Sequence, residues 1–281
     1  MRLLILLALT LFTSACRISP SVTSLNDTEP SKFGLSLKHP GRGVAILAHG
    51  LNQRPSSLDP LADTLRDLGY HTARLTFTGH DREDSSVFQP SKWSEDLISS
   101  YRQIKQRFKN MPVVIVGYSL GGLVATYSLD RNPEFRPDKM VLIAPALSLR
   151  LLPQLGYFLN IFPPLSMAIP NLAPQRYRRF AYTPLFWYRN TLDLYSSTRT
   201  LNNSEALKRV PTTIIANPRD ELISFCGLGE WIADSGLSGS WRLEKVEPDK
   251  VDSSIPQHVL IDQSSLGAKG WERLVEILGH L

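Results

Sequence analysis

Ser119 stands in the sequence setting best suited to nucleophilic chemistry. It lies in Gly117-Tyr118-Ser119-Leu120-Gly121, directly after the run Val113-Val114-Ile115-Val116. β-branched residues in series read as a buried strand, and the residues after Ser119 read as the start of a helix. Strand, glycine-flanked serine and helix together describe a sharp turn that forces the serine into a strained conformation and lifts its hydroxyl above the sheet. Gly117 and Gly121 let strand and helix approach where a Cβ would clash. The turn also sets Ser119 at a helix N-terminus, where free N–H groups and the dipole favour developing negative charge. The competing reading is a structural turn whose serine only caps the helix.

The elements around Ser119 follow a repeating order. Val44–Ala48, Thr72–Thr76, Lys139–Pro145, Pro211–Ala216 and Trp241–Val246 read as further strands, and Lys32–Lys38 as an early edge strand. Helices are expected over Ser57–Leu68, Trp93–Phe108, Leu120–Leu129, Cys226–Ala233 and Lys269–Leu278. Strands alternating with helices predict an α/β fold built on a mostly parallel sheet flanked by helices. The alternation breaks from Ala146 to about Arg209, where no strand is evident but Leu151, Phe158, Phe162, Tyr182, Phe186, Trp187 and Tyr195 are. A structureless loop of that length does not suit a compact domain, so the stretch reads as a structured insertion rich in large apolar residues.

These motifs resemble the α/β-hydrolase superfamily, nearest its capped monoacylglycerol-lipase and lysophospholipase-like branch. The resemblance runs from about Leu37 to the end and implies a serine esterase or lipase. It makes Ser119 the nucleophile, Asp220 in Asn217-Pro218-Arg219-Asp220 the acid and His258 the base, in the superfamily's chain order. Glu221 is the rival acid. His49-Gly50-Leu51 resembles the oxyanion loop, which gives the backbone N–H groups of Leu51 and Leu120 the task of binding a tetrahedral oxyanion. His49 is then expected to orient its loop. Gly79-His80-Asp81 resembles in part the branch's Gly-His-Gly loop, with Asp81 in place of the second glycine, and His80 is expected to pack that loop rather than act as the base. Asn217 replaces a glycine and is expected to tolerate the same left-handed geometry. The superfamily inserts a helical cap after the strand that follows the elbow, which makes 146–209 that cap, and its aromatic, leucine-rich residues imply esters of apolar acyl chains as substrates. No metal or organic cofactor is implied. The same triad could serve an acyltransferase, could cleave peptides or thioesters, or could be carried unused by a surface-binding lipoprotein.

The chain has 281 residues, 42% of them hydrophobic, enough for one large core, and a net charge of +5. Its basic residues are dispersed, apart from Arg176-Tyr177-Arg178-Arg179, which argues against a nucleic-acid partner and leaves an anionic membrane surface as the better guess. Arg2 followed by the apolar run Leu3–Phe12 reads as a targeting segment too short to span a bilayer. Thr13-Ser14-Ala15-Cys16 resembles the lipobox of bacterial lipoproteins, which implies cleavage and lipidation at Cys16. Residues 1–16 are thus expected to be a signal peptide, 17–36 a tether and 37–281 the hydrolase domain with its cap at about 146–209. That makes the protein an exported, membrane-anchored lipoprotein. Arg17 in place of an aspartate suggests the outer membrane in a double-membraned bacterium. Cys226 is left as a free thiol, expected to be buried.

Overall fold

A computed structural model describes residues 31–36, 41–81, 89–150, 168–201, 204–249, 252 and 254–281. Residues 1–16, the tether as far as residue 30, and the cap residues 151–167 lie outside the described residues.

Seven strands form one sheet in the order β1-β3-β2-β4-β5-β8-β9. They are β1 (Lys32–Gly34), β2 (Gly43–Ala48), β3 (Tyr70–Arg74), β4 (Val113–Tyr118), β5 (Lys139–Ile143), β8 (Thr212–Ala216) and β9 (Trp241–Lys245). All run parallel except β1, which pairs antiparallel with β3. Every residue of β2 and β4 is buried, as expected for central strands covered on both faces. The sheet begins at Lys32, inside the stretch read as tether, and the expected edge strand is only three residues long.

The covering helices are α1 (Asp59–Asp67), α2 (Ser91–Arg107), α3 (Leu120–Arg131), α6 (Phe225–Asp234) and α7 (Gln263–Gly279). α7 starts six residues before the expected Lys269. Asp262 caps it reciprocally with Ser265, and Gly267 at φ 74° joins two helical pieces across a kink. Cys226 is exposed, contrary to expectation. It sits on α6 opposite the face that buries Leu228, Trp231 and Ile232, so helical periodicity turns it to solvent.

The cap is partly β rather than purely helical. β6 (Ala168–Pro170) and β7 (Tyr182–Pro184) form an antiparallel hairpin, followed by α4 (Leu185–Arg199) and α5 (Glu205–Arg209). Strands of three residues are too short to show alternation, which is why the sequence reads as strandless there. α4 packs on α3, so the cap rests on the helix that starts at the elbow. Leu185, Phe186, Trp187, Leu194 and Tyr195 are buried, giving the cap its core.

Candidate active site

Parallel pairing brings the carboxyl ends of the strands together. Ala48 pairs with Gly117, Tyr118 with Ile143 and Ile143 with Ile215, so the loops after β2, β4, β5 and β8 emerge side by side. Ser119 occupies the turn after β4 at φ 52°, ψ −111°, a left-handed strain for a residue with a Cβ. Its N–H donates to Ile143 O at 2.9 Å, and its carbonyl accepts from Gly122, Leu123 and Ala146. The flanking glycines are required by space. A Cβ on Gly121 would lie 2.1 Å from the Ala48 carbonyl oxygen, and one on Gly117 would lie 2.8 Å from the Gly121 backbone.

His258, in the loop after β9, joins two of these turns. Its Nε2 lies 2.9 Å from Ser119 Oγ and its Nδ1 lies 2.8 Å from Asp220 Oδ2. The carboxylate can only accept, which assigns the proton to Nδ1 and leaves Nε2 to take the serine hydroxyl's proton. Asp220 is buried, and its other oxygen accepts from Leu222 N at 2.8 Å and Ile223 N at 2.9 Å. Ser119 is half-buried, so its hydroxyl has both a base and a path to solvent. The structure therefore brings Ser119, Asp220 and His258 into one hydrogen-bonded line. Glu221, the rival acid, is exposed.

The loop at residues 50–53, expected to receive the oxyanion, is a tight turn. Gln53 N donates to Gly50 O at 3.3 Å, and Gly50 N donates to Gln53 Oε1. Asn52 N donates to His80 Nε2 at 3.0 Å. Neither Leu51 N–H nor Leu120 N–H has an acceptor among the described residues. His49 is buried; its Nε2 accepts from Phe77 N at 3.1 Å and its Nδ1 lies 2.8 Å from Gly50 O, the expected orienting role. His80 is buried against Trp187 of the cap, with ring centroids 4.2 Å apart. Burial first, and then the nearby His49, hold its pKa well below the usual imidazole value. A neutral His80 matches its part as acceptor for Asn52 N–H.

Three residues to which sequence reasoning gave no role, Tyr118, Arg150 and Asn52, support these groups, together with Asn217, to which it gave a different one. Tyr118 Oη donates to the His258 carbonyl at 3.1 Å. Asn217 does not adopt the expected left-handed conformation; its Nδ2 instead donates to Gln257 O and Oε1, both at 3.1 Å, steadying the residue before His258. Arg150 Nε donates to Asp220 O at 2.7 Å and its Nη2 to Pro218 O at 3.1 Å, clamping the acid turn from the entrance to the cap. Asn52 carries several bonds between the oxyanion loop and the cap. A polar residue at a strand's carboxyl end was the available signal for Asn52 and Asn217; Tyr118 and Arg150 gave none.

The family described as serine aminopeptidase S33, Hydrolase_4, matches residues 39–234. A thermostable monoacylglycerol lipase of Bacillus sp. (strain H-257) is 28% identical over 91 residues, 32% of this chain and 36% of that protein. Among solved structures, a soluble variant of the Saccharomyces cerevisiae monoglyceride lipase, in complex with a substrate analogue, superposes with a TM-score of 0.70 at 15% identity. It covers 95% of this chain and 96% of its own. A structure of the metagenome-derived lipolytic enzymes LipS and LipT superposes at 0.69 with 19% identity, over 92% of this chain and 100% of its own. At these identities the structures show a shared fold, the α/β-hydrolase architecture.

Proposed function

Because the chain belongs to the serine aminopeptidase S33 family, Hydrolase_4, and is a hydrolase of the esterase and lipase type, we propose that it cleaves carboxylic esters of apolar acyl chains, monoacylglycerol-like lipids among them, through an acyl-enzyme. The observation that carries this reading is the line from Ser119 Oγ to His258 Nε2 and from His258 Nδ1 to Asp220, at 2.9 and 2.8 Å.

In the proposed reaction, Ser119 Oγ attacks the ester carbonyl while His258 Nε2 takes its proton. Asp220 holds the imidazole in the required tautomer and stabilises the imidazolium. The N–H groups of Leu51 and Leu120 receive the tetrahedral oxyanion. They are preorganised, so they need no reorganisation as charge develops. The C–O bond to the alcohol breaks, His258 returns the proton to the leaving oxygen, and water deprotonated by His258 then releases the acid. The aromatic- and leucine-rich sequence of the cap supports a lipophilic acyl site, since burying hydrocarbon is the main affinity such walls supply. Attachment to a membrane through a lipid on Cys16 belongs to the same proposal and is supported by the pattern of residues 1–16.

The test is hydrolysis of p-nitrophenyl esters from short to long acyl chains by the full chain in detergent, beside Ser119→Ala and beside aminoacyl p-nitroanilides. Turnover that requires Ser119 and peaks at medium or long chains is the expected result. Preference for the anilides would replace the esterase reading with a peptidase one.

A further inference from the structure

We propose that Asn52 is a positioning residue that aims the Leu51 N–H at the oxyanion and makes that aim depend on a seated cap. The inference rests on the reading of Leu51 as an oxyanion donor.

Three of four successive N–H groups in the loop are committed inside the protein: Gly50 to Gln53 Oε1, Asn52 to His80 Nε2, and Gln53 to Gly50 O. Leu51 N–H alone of the four meets no acceptor among the described residues, and Asn52 holds the turn that leaves it so. Asn52 is 1% exposed and adopts φ 46°, a left-handed conformation that Asn tolerates better than other residues with a Cβ.

Every other polar group of Asn52 is bonded to the cap. Nδ2 donates to Thr183 Oγ1 at 2.7 Å, to Phe180 O at 3.1 Å and to Tyr182 O at 3.3 Å. Oδ1 accepts from Phe180 N at 2.9 Å, and the backbone carbonyl accepts from Arg179 N at 2.9 Å. The next loop residue but one continues the seam, with Arg54 N donating to Tyr177 O at 2.7 Å. Even the backbone N–H of Asn52 reaches the cap indirectly, because its acceptor His80 stacks on Trp187. The oxyanion loop and residues 177–183 are thus one hydrogen-bonded unit. Buried polar groups this fully satisfied specify a single geometry, and losing one partner strands the others. A hole built on this loop has its full geometry only while the cap is docked.

A purely structural asparagine would lower stability and leave the chemistry alone, so the test separates the two. Asn52→Gly keeps the left-handed backbone accessible and removes all four side-chain bonds. Thr183→Val leaves Asn52 untouched and removes its shortest bond from the cap side. With p-nitrophenyl esters, Asn52→Gly is expected to lower kcat about tenfold to a hundredfold and Thr183→Val about threefold to tenfold, against the roughly 10²–10³ of a whole lost donor. KM should stay within about twofold in each, the pattern of an interaction made only in the transition state. The double variant should be no slower than Asn52→Gly, because both changes break the same seam. The second readout is the rate at which a p-nitrophenyl alkylphosphonate modifies Ser119, followed by intact mass; that adduct sets an anionic oxygen in the hole and requires no ester turnover. It should slow in the same order. Folded Asn52→Gly with wild-type kcat and wild-type phosphonylation, or with its loss entirely in KM, overturns the proposal. A wild-type chain that is phosphonylated but hydrolyses no ester defeats the esterase reading only, and the labelling ratio still decides Asn52. A wild-type chain that does neither defeats both.

Discussion

The phenol of Tyr118, the residue just before the nucleophile, donates to the backbone carbonyl of His258 at 3.1 Å. Its ring lies 5.3 Å from the imidazole and also covers Gly50, where an added Cβ would meet it at 3.0 Å. One side chain therefore steadies the base's loop and closes against the oxyanion loop. Burial, and then the charge of Asp220, push the phenol pKa well above its usual value, so it remains a donor throughout the accessible pH range. Tyr118→Phe is expected to lower kcat about tenfold with little change in KM, because a small misplacement of the base weakens proton transfer. Denaturant unfolding should show a loss of about 1 kcal/mol for the missing bond. An unchanged kcat would leave Tyr118 a packing residue.

Ser119→Ala and His258→Ala should each remove about 10⁴-fold or more of the ester turnover, and the double variant should be no more than about threefold worse than either. Residues acting as one unit are not additive. Steady-state kinetics on the three folded proteins checks this, and a further large drop in the double variant would mean that the two act separately.

Asp220→Asn keeps the shape of the acid but presents an amide to His258 Nδ1, which favours the wrong tautomer. A loss of about 10⁴-fold in kcat is expected. Glu221→Gln, at the exposed neighbouring position, should stay within about twofold of wild type on the same reasoning, since it leaves the Asp220–His258 bond intact. The reverse ranking would move the acid to Glu221.

His80 gives the fold a pH dependence. Its folded pKa lies well below the ordinary 6.5 because of burial and the proximity of His49, with Arg179 adding to the effect. Below about pH 6.5 the unfolded chain binds a proton that the folded chain refuses, so this contribution is complete above that pH and is lost as pH falls, at up to about 1.4 kcal/mol per pH unit. Urea unfolding of wild type between pH 7.5 and 5 should show the decline. His80→Gln, which can still accept the Asn52 N–H, should flatten it, and equal slopes in the two proteins would refute the assignment.

Cys16 is expected to carry the lipid. Expressed in a bacterium with its lipoprotein machinery and fed labelled palmitate, the wild-type chain should incorporate label and sediment with membranes. Cys16→Ser should do neither. Label retained by Cys16→Ser would place the modification elsewhere.

Much of the architecture was legible because the central strands leave no ambiguity. Val113–Tyr118 and Gly43–Ala48 are buried on both faces and read as largely apolar runs, and the glycines they hold, Gly117 and Gly43, sit where an added Cβ would meet backbone at 2.8 and 2.6 Å. Asp220 and His258, which the structure brings to Ser119, were legible through the chain order that the superfamily resemblance implies. The supporting contacts were not, since Tyr118 to His258 spans 140 residues and Asn52 to Thr183 spans 131, and no local pattern encodes such pairs. The cap hairpin escaped for a related reason. Ile169 and Thr183 pair within strands three residues long, and the seam on Asn52 rather than periodicity fixes their place. Cys226 was misjudged because free cysteine is most often buried, whereas its position on α6 is set by the apolar face around Leu228.

The short antiparallel strand β1 fixes the end of the sheet at which the preceding chain joins the domain. Lys32 pairs with Arg74 and Gly34 with Thr72, so the chain enters β1 at the end of the sheet where the parallel strands deliver Ser119 and His49. A lipid on Cys16 would thus be tied to the catalytic rim rather than to the opposite pole. The 15 residues from 17 to 31 reach at most about 50 Å when fully extended. A lipid on Cys16 would therefore leave the rim that holds Ser119 within reach of the headgroups.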